Sequence, residues 1–131
     1  MVHVLLRVPF EGLGSIQVSG YIRWLAYALE ALLQNARNAM PTGGKVIISG
    51  VQKGKWAEIR IRDTGSGVPD AIRATLFKDV TSKEEDKKGM GIGGLLVATI
   101  VEDHRGIIEL ERPGPGDTTV LIRLPIVQDG K

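Results

Sequence analysis

Short apolar stretches bounded by turn residues predict that much of the chain forms β-strands. The segment 56–62 shows the clearest pattern, because Ile59 and Ile61 alternate with the charged Glu58, Arg60 and Arg62. Such alternation gives a strand one buried face and one polar face. The predicted strands are residues 2–8, 16–18, 45–52, 56–62, 107–111 and 119–124.

Other segments carry apolar residues at the spacing of a helix. Residues 21–40 repeat them at intervals of three and four, with Ser19 as the expected N-cap. Pro69 favours the start of a short helix that runs to Phe77, and residues 95–104 predict another helix. The apolar stripe of the first helix is expected to contain Leu25, Leu29, Leu32 and Ala36.

Strands and helices mix along the chain without regular alternation. This mixture predicts an α+β fold, a two-layer α/β sandwich in which helices cover one face of a mixed sheet. Residues 78–88 are polar and charged without periodicity, so we expect them to form a mobile lid loop. The tail after Pro125 is expected to fray.

Length and composition restrict the class of protein. The 131 residues, 43% of them hydrophobic, predict one domain over residues 1–131 with one core. The absence of cysteine excludes disulfides and zinc-thiolate sites. A net charge of +2 gives no case for nucleic-acid binding. With no apolar run long enough to span a bilayer and no features of a signal peptide, we expect a cytoplasmic domain without direct membrane contact, which is compatible with a membrane-anchored parent protein.

Polar residues on the first helix and at the end of a strand carry candidate chemistry. Asn35 and Asn38 share a helix face with Ala31, and an asparagine oxygen is a suitable ligand for Mg²⁺, although most helix asparagines are simply solvated. Asp63 is placed to accept a hydrogen bond from an amine such as adenine N6. Glycines after it let a flat base approach the backbone, but an ordinary turn explains the same residues equally well.

A third candidate is the glycine-rich segment 89–94, which precedes a predicted helix. Consecutive amides before a helix N-terminus form a site for phosphates. A dinucleotide-binding glycine loop fits poorly, because that motif follows the first strand of a βαβ unit. A P-loop is excluded, since no Gly-Lys-Ser/Thr follows the glycines.

Taken in order, these segments resemble the GHKL ATPase superfamily, and in particular the catalytic and ATP-binding domain of sensor histidine kinases of two-component systems. Residues 34–44 look like the N box and 63–69 like the G1 box. Leu76 and Phe77 with residues 81–83 are similar to the F box and the start of the ATP lid. Residues 89–93 with 100–106 look like the G2 box, and 118–125 like the final strand. The likeness extends over residues 2–126.

The resemblance implies a Bergerat fold that binds ATP and Mg²⁺ and, within a longer histidine kinase, transfers the γ-phosphoryl group to a histidine of a separate dimerisation domain, with a response regulator downstream. Asn35 would hold Mg²⁺, Asp63 would bond the adenine amine, and Lys83 in the lid would neutralise phosphate charge. Thr119, with Thr118, would hold a water near the adenine. Further nucleotide contacts are implied for Asn38, Gly65, Gly67, Val68, Gly89, Met90, Gly91, Ile92 and Gly93.

Some residues depart from the family pattern. Ala31 stands where histidine kinases often carry a second asparagine and other members carry a general-base glutamate, and Glu30, one position earlier, is the candidate substitute. Gly94 replaces an expected leucine, and Asp117 replaces an expected glycine. Two alternatives stay open: a serine protein kinase of the anti-sigma type, against which Ala31 argues, and a degenerate, non-enzymatic nucleotide-binding sensor, which Ala31 and Gly94 favour.

Neither histidine is expected to accept phosphate. His3 lies in a predicted strand, and His104 is expected to act as a cation at the C-terminus of a helix. The isolated chain is therefore expected to bind nucleotide but to transfer phosphate slowly or not at all. The resemblance also implies a monomer, because dimerisation in that family usually lies in separate helices.

Overall fold

The computed structural model describes residues 2–7, 20–77 and 91–126. Within them, one sheet contains β1 (Val2–Arg7), β2 (Gly44–Lys53), β3 (Trp56–Asp63), β4 (Ile107–Pro113) and β5 (Thr118–Pro125), and the helices are α1 (Ile22–Asn38), α2 (Asp70–Arg73) and α3 (Gly91–Asp103). The strands lie in the order β1-β2-β3-β5-β4. Strand β1 pairs with β2 in parallel, and the other pairs are antiparallel. The predicted α+β fold with a mixed sheet is thus confirmed.

Helices α1 and α3 pack on one face of this sheet and form the core with it. Val97 and Val101 of α3 are fully buried, and they belong to the same apolar cluster as Ala36 of α1, Ile61 of β3 and Ile122 of β5. Alternate residues of β3 and β5 supply the sheet's part of this cluster, as expected from the period of a strand. The predicted strand 16–18, the cap Ser19, the lid loop 78–88 and the tail after residue 126 lie outside the described residues.

One residue of the predicted α1 stripe is exposed instead of belonging to the core. Leu29 is 38% exposed, whereas Ala28 is 3% exposed and takes its place in the core. A helix turns 100° per residue, which places Leu29 only about 20° from Ala36, so periodicity alone does not distinguish the exposed residue from the buried one. The rest of the stripe is confirmed, with Leu32 and Ala36 buried and Leu25 packed against the core.

The start of α3 also differs from the prediction, since the helix begins at Gly91 rather than at residue 95. Each glycine costs a helix about 1 kcal/mol relative to alanine, which favours a loop on sequence grounds. The apolar residues that follow, including Val97, Ala98 and Val101, are buried and compensate for that cost. The first turn of a helix leaves its amides without partners inside the helix.

His104 joins the end of α3 to the start of α1, and the hydrogen bonds contradict the expected cation. Its Nδ1 lies 2.7 Å from the carbonyl oxygen of Ile100, and its Nε2 lies 3.0 Å from the backbone nitrogen of Tyr21. A carbonyl only accepts and a backbone N–H only donates, so Nδ1 carries the proton and Nε2 is the acceptor. This pattern requires the neutral imidazole.

The opposite face of the sheet, called here the open face, carries ion pairs. Glu58 is buried and accepts hydrogen bonds from Arg123 Nε at 2.9 Å and from Arg60 Nη1 at 3.2 Å. Arg60 also binds both carboxylate oxygens of Glu111, at 2.8 and 3.0 Å. The Arg123 guanidinium holds the pKa of Glu58 below its usual value, and Arg60 does the same for Glu111. These charges are satisfied within the protein.

Candidate functional site

A cavity of about 510 Å³ lies between the C-terminal half of α1, the end of β3 and the start of β5. Its volume is within the range of small-molecule sites. Apolar side chains line most of it, and a few polar groups converge on its base. The lining residues are Leu32, Asn35, Ala36, Asn38, Ala39, Ile61, Asp63, Ser66, Gly67, Val68, Pro69, Ile72, Leu76, Thr118 and Val120.

Asp63 is the charged residue of this lining. It is the last residue of β3 and lies on the same face as the buried Ile61, because side chains two residues apart share one face of a strand. Burial raises the pKa of the Asp63 carboxyl, the nearby charge of Asp117 raises it further, and the Gly65 amide, 2.8 Å from Oδ1, acts in the opposite direction. A buried carboxylate with one backbone donor is suited to accept a further hydrogen bond from an amine.

The segment after Asp63 is held in place by close backbone packing. Gly67 has a positive φ of 86°, and a Cβ there would lie 2.6 Å from the carbonyl oxygen of Pro113. Two backbone hydrogen bonds join this segment to the β4–β5 turn: Gly116 donates to Gly65 at 2.9 Å, and Val68 donates to Pro113 at 2.8 Å. The turn therefore supports the wall of the cavity that Gly67 and Val68 form.

Thr118 and Thr119 point to opposite sides of the sheet. Thr118 pairs with Asp63 across β3 and β5 and lines the cavity. Its Oγ1 is buried and has no hydrogen-bond partner, the one such side-chain atom in the described part of the chain. Thr119 instead donates to Asp117 Oδ1 at 2.9 Å on the open face. A buried hydroxyl without a partner is costly, so Thr118 marks a position where a ligand or water can bind.

Asn35 presents an oxygen at the side of the cavity. Its Nδ2 donates to the carbonyl oxygen of Ala31 at 3.0 Å. Because a carbonyl cannot donate, this contact fixes which end of the amide is nitrogen and leaves Oδ1 as the outward acceptor. An amide oxygen at a partly buried position is the type of donor that Mg²⁺ takes, together with waters and phosphate oxygens.

The comparisons with known proteins agree with this geometry. The profile of the family described as histidine kinase-, DNA gyrase B- and HSP90-like ATPases matches residues 20–128. The chain belongs to this ATPase family. Relatives include the sensor protein DivL of Caulobacter vibrioides, 36% identical over 82% of this chain and 14% of its own, and the sensory histidine kinase/phosphatase NtrB of Proteus hauseri, 34% identical over 74% of this chain and 31% of its own.

Solved structures of histidine kinase catalytic domains share the fold. A mycobacterial sensor histidine kinase, MprB, has a TM-score of 0.75 and 28% identity, and covers 95% of this chain and 82% of its own. The catalytic domain of the histidine kinase ThkA has a TM-score of 0.76 at 22% identity, and the match covers 95% of this chain and 80% of ThkA's. The chain spans less than a third of the length of these curated relatives and of others that it matches. No helix in the described ranges is long and apolar enough to cross a membrane.

The structure brings together many of the residues expected at the nucleotide site of this ATPase family. Asn35, Asn38, Asp63, Gly67, Val68 and Thr118 all line the one cavity. Gly65 lies behind it, where a Cβ would be 2.7 Å from the carbonyl oxygen of Ala39. Glu30 is exposed and outside the lining, and Thr119 is on the open face. The backbone of Gly91, Ile92 and Gly93 opens α3, whereas Lys83, Gly89 and Met90 lie outside the described residues.

Sequence reasoning missed the apolar part of the lining. Leu32 and Ala36 were assigned to the core, Ile61 to one face of its strand and Val120 to a strand, and none of the four to the site. All four face the cavity. The period of a strand carries a usable signal, because Ile61 precedes Asp63 by two residues and Val120 follows Thr118 by two. Ser66, Pro69, Ile72 and Leu76 also belong to the lining.

Proposed function

We propose that the chain binds ATP with Mg²⁺ and, as part of a longer histidine kinase, transfers the γ-phosphoryl group to a histidine on a separate dimerisation domain. The observation that carries the proposal is the base of the cavity, where the buried carboxylate of Asp63 lies beside the unpartnered hydroxyl of Thr118. Membership of the ATPase family supports ATP as the ligand.

The cavity suits the adenine ring. Asp63 accepts from the exocyclic amine, and Thr118 bonds a ring nitrogen directly or through a water. Ile61, Ile72 and Val120 supply apolar surface for the two faces of the ring. In the orientation proposed for adenine, guanine would present its 6-carbonyl in place of the amine and leave Asp63 without a donor, so we expect the site to prefer adenine.

Mg²⁺ fits the side of the cavity that α1 forms. Asn35 Oδ1 would hold the ion, and Ala31 supplies no second ligand, so waters and phosphate oxygens would complete its coordination. When bound, the ion neutralises charge on the phosphates. The lid residue Lys83 and the glycines Gly89, Gly91 and Gly93 remain the proposed phosphate contacts. Asn38 is exposed at the rim of the cavity.

The phosphoryl acceptor is proposed to come from another domain. In the reaction, the P–O bond to ADP breaks and a P–N bond to imidazole forms, and the imidazole itself is the nucleophile. His104 is unsuitable because both of its ring nitrogens are hydrogen-bonded within the protein. The absence of a general-base glutamate at Ala31 does not impair this chemistry, since no water has to be activated.

Calorimetric titration with ADP and with a non-hydrolysable ATP analogue, each with and without Mg²⁺, tests the nucleotide part of the proposal. We expect both to bind, and Mg²⁺ to strengthen binding of the ATP analogue. As a control, the variant Asp103→Asn removes an exposed carboxylate away from the cavity and should bind both nucleotides like the wild type. Binding without any effect of Mg²⁺ would favour the sensor alternative, and failure to bind ADP would contradict the proposal.

The kinase part needs an acceptor. Incubation with ATP labelled at the γ-phosphate and a separately produced histidine kinase dimerisation domain should give acid-labile label on that domain. Label that resists acid would indicate a serine ester and support the serine-kinase alternative.

A further inference from the structure

Directly behind the cavity, β3, β5 and β4 each contribute one residue to a row on the open face. Arg62 of β3 and Arg112 of β4 both pair with Thr119 of β5. The neighbouring row of the same strands is Asp63, Thr118 and Pro113, and its first two residues line the cavity. The row of Arg62, Thr119 and Arg112 on the open face is called here the rear row. The two rows are adjacent along the backbone, so a displacement of the rear row moves the groups proposed to recognise the base.

Asp117, immediately before β5, binds all three members of the rear row. Its Oδ1 accepts a hydrogen bond from Thr119 Oγ1 at 2.9 Å and forms an ion pair with Arg62 Nε at 3.1 Å, and its Oδ2 lies 3.5 Å from Arg112 Nη1. One carboxylate thus connects β3, β5 and β4 at the level of the cavity. We propose that Asp117 is a positioning residue for base recognition, which fixes Asp63 and Thr118 in register across the three strands. This inference rests on the proposed function.

The position of Asp117 in the β4–β5 turn adds a second connection. Gly116, the residue before it, donates its amide to the carbonyl oxygen of Gly65 at 2.9 Å. The carboxylate therefore anchors the end of the turn that holds the segment following Asp63. Asp117 thus connects the turn that supports the wall of the cavity with the strand ends that form its base. Loss of Asp117 would free both.

The charge of Asp117 also reaches the cavity. It raises the pKa of the Asp63 carboxyl, adding to the larger effect of burial. The residues of α1 that line the cavity, Asn35 and Asn38, are uncharged, and Arg62 and Arg112 face Asp117 from the open face. The titration of Asp63 thus reports on Asp117 without any nucleotide present.

The test compares Asp117→Ala, Asp117→Asn and the control Glu111→Gln by calorimetric titration with ADP. Glu111 is matched because it is also an open-face carboxylate held by an arginine, but it does not act on Asp63. We expect Asp117→Ala to weaken ADP binding about threefold to tenfold, the effect of one or two net hydrogen bonds. Asn retains an acceptor for Thr119, so Asp117→Asn should lie between Ala and wild type. Glu111→Gln should bind ADP like the wild type.

A carbon-detected NMR titration of the Asp63 carboxyl in the unliganded protein supplies a readout that a general loss of stability does not produce. In Asp117→Asn, the pKa of Asp63 should fall below its wild-type value, and in Glu111→Gln it should not change. Wild-type ADP affinity in Asp117→Ala, or an equal loss in Glu111→Gln, would overturn the inference. If Asp117→Ala does not fold, the ADP affinity and the pKa of Asp63 measured in Asp117→Asn decide whether the inference holds.

The two proposals fail in different ways. If wild-type protein does not bind ADP, the proposed function is wrong, and the NMR titration alone then decides whether Asp117 acts on Asp63. If wild-type protein binds ADP but Asp63 titrates identically in wild type and Asp117→Asn, the proposed function stands and the role of Asp117 is rejected.

Discussion

The two faces of the sheet differ in how completely their buried polar groups are hydrogen-bonded. On the open face, Glu58 is buried but accepts from two arginines. On the face toward the helices, Asp63 is equally buried and has one backbone donor, and Thr118 has no partner. Polar groups that are satisfied internally stabilise the fold, whereas polar groups left incomplete beside a cavity are available to a ligand. The contrast separates Glu58, expected to affect stability, from Asp63 and Thr118, expected to affect binding.

The largest expected effect is on binding, at Asp63. Replacing it with Asn should weaken ADP binding about tenfold to a hundredfold, as for a hydrogen bond to a charged group. At neutral pH, the unfolding free energy of the Asp63→Asn variant should be higher than that of the wild type. The raised pKa means that the folded protein holds the proton more tightly than the unfolded chain does, so ionising Asp63 opposes folding.

Titration calorimetry and urea denaturation of the Asp63→Asn variant measure the two quantities. Asp70→Asn is the control, because Asp70 is an exposed carboxylate paired with Arg73. A variant that loses stability but keeps its ADP affinity would reverse the assignment of the two faces.

The converse variant is Glu58→Ala on the open face. It removes the acceptor of Arg60 and Arg123, and we expect a loss of about 2 kcal/mol in unfolding free energy, since both guanidiniums are one-third exposed and water partly replaces the carboxylate. ADP affinity should remain within about twofold of wild type. Glu109→Ala is the control, since Glu109 is exposed and has no ion pair among the described residues. A marked loss of ADP affinity in Glu58→Ala would mean that the two faces are coupled there.

The same pairs predict how stability depends on pH. The pKa values of Glu58 and Glu111 are lowered by their arginines. Their stabilisation is therefore complete above the ordinary glutamate pKa of about 4.3 and is lost as the pH falls through the lower, folded-state values. Urea denaturation at pH 7 and at several pH values below 4.3 should show a smaller decline in Glu58→Gln than in wild type. An identical decline in both proteins would exclude Glu58 as a source of the acid sensitivity.

The smallest expected effect comes from the adjacent threonines, which differ in the face they occupy. Thr118→Val removes an unpartnered hydroxyl, so stability should be unchanged or higher, while ADP binding weakens about threefold to tenfold if the hydroxyl contacts the base or its water. Thr119→Val breaks the bond to Asp117 and should lower unfolding free energy by about 1 kcal/mol, with a smaller effect on binding than Thr118→Val. Each variant is the control for the other.

The prediction from sequence was reliable where a periodic pattern carried it. The alternation of isoleucine and charge in β3 gave the strand and its two faces correctly, because side chains alternate with a fixed period. The α1 stripe was nearly right, and Leu29 was wrong because periodicity gives the angular position of a residue but not what packs against it. The glycine run before α3 was assigned to a loop, since local propensity does not register the burial of Val97 and Val101.

The candidate site was predictable as a set of residues but not as an arrangement. The resemblance to histidine kinases assigned Asn35, Asp63 and Gly67 to a single site, and the structure places all three around one cavity. It also favoured Thr119 over Thr118. Which of two consecutive residues faces the cavity depends on strand register, and the pairing of Thr118 with Asp63 fixes it.

By itself, the sequence determined the α+β class, the main strands and helices, and the membership in an ATPase family, because each depends on local periodicity or on the order of short motifs. Tertiary structure alone decided that Glu58 is satisfied while Thr118 is not. Satisfaction of a buried group depends on partners far away in sequence, such as Arg123 for Glu58. No local pattern encodes those partners, since they meet only when β3 and β5 pair.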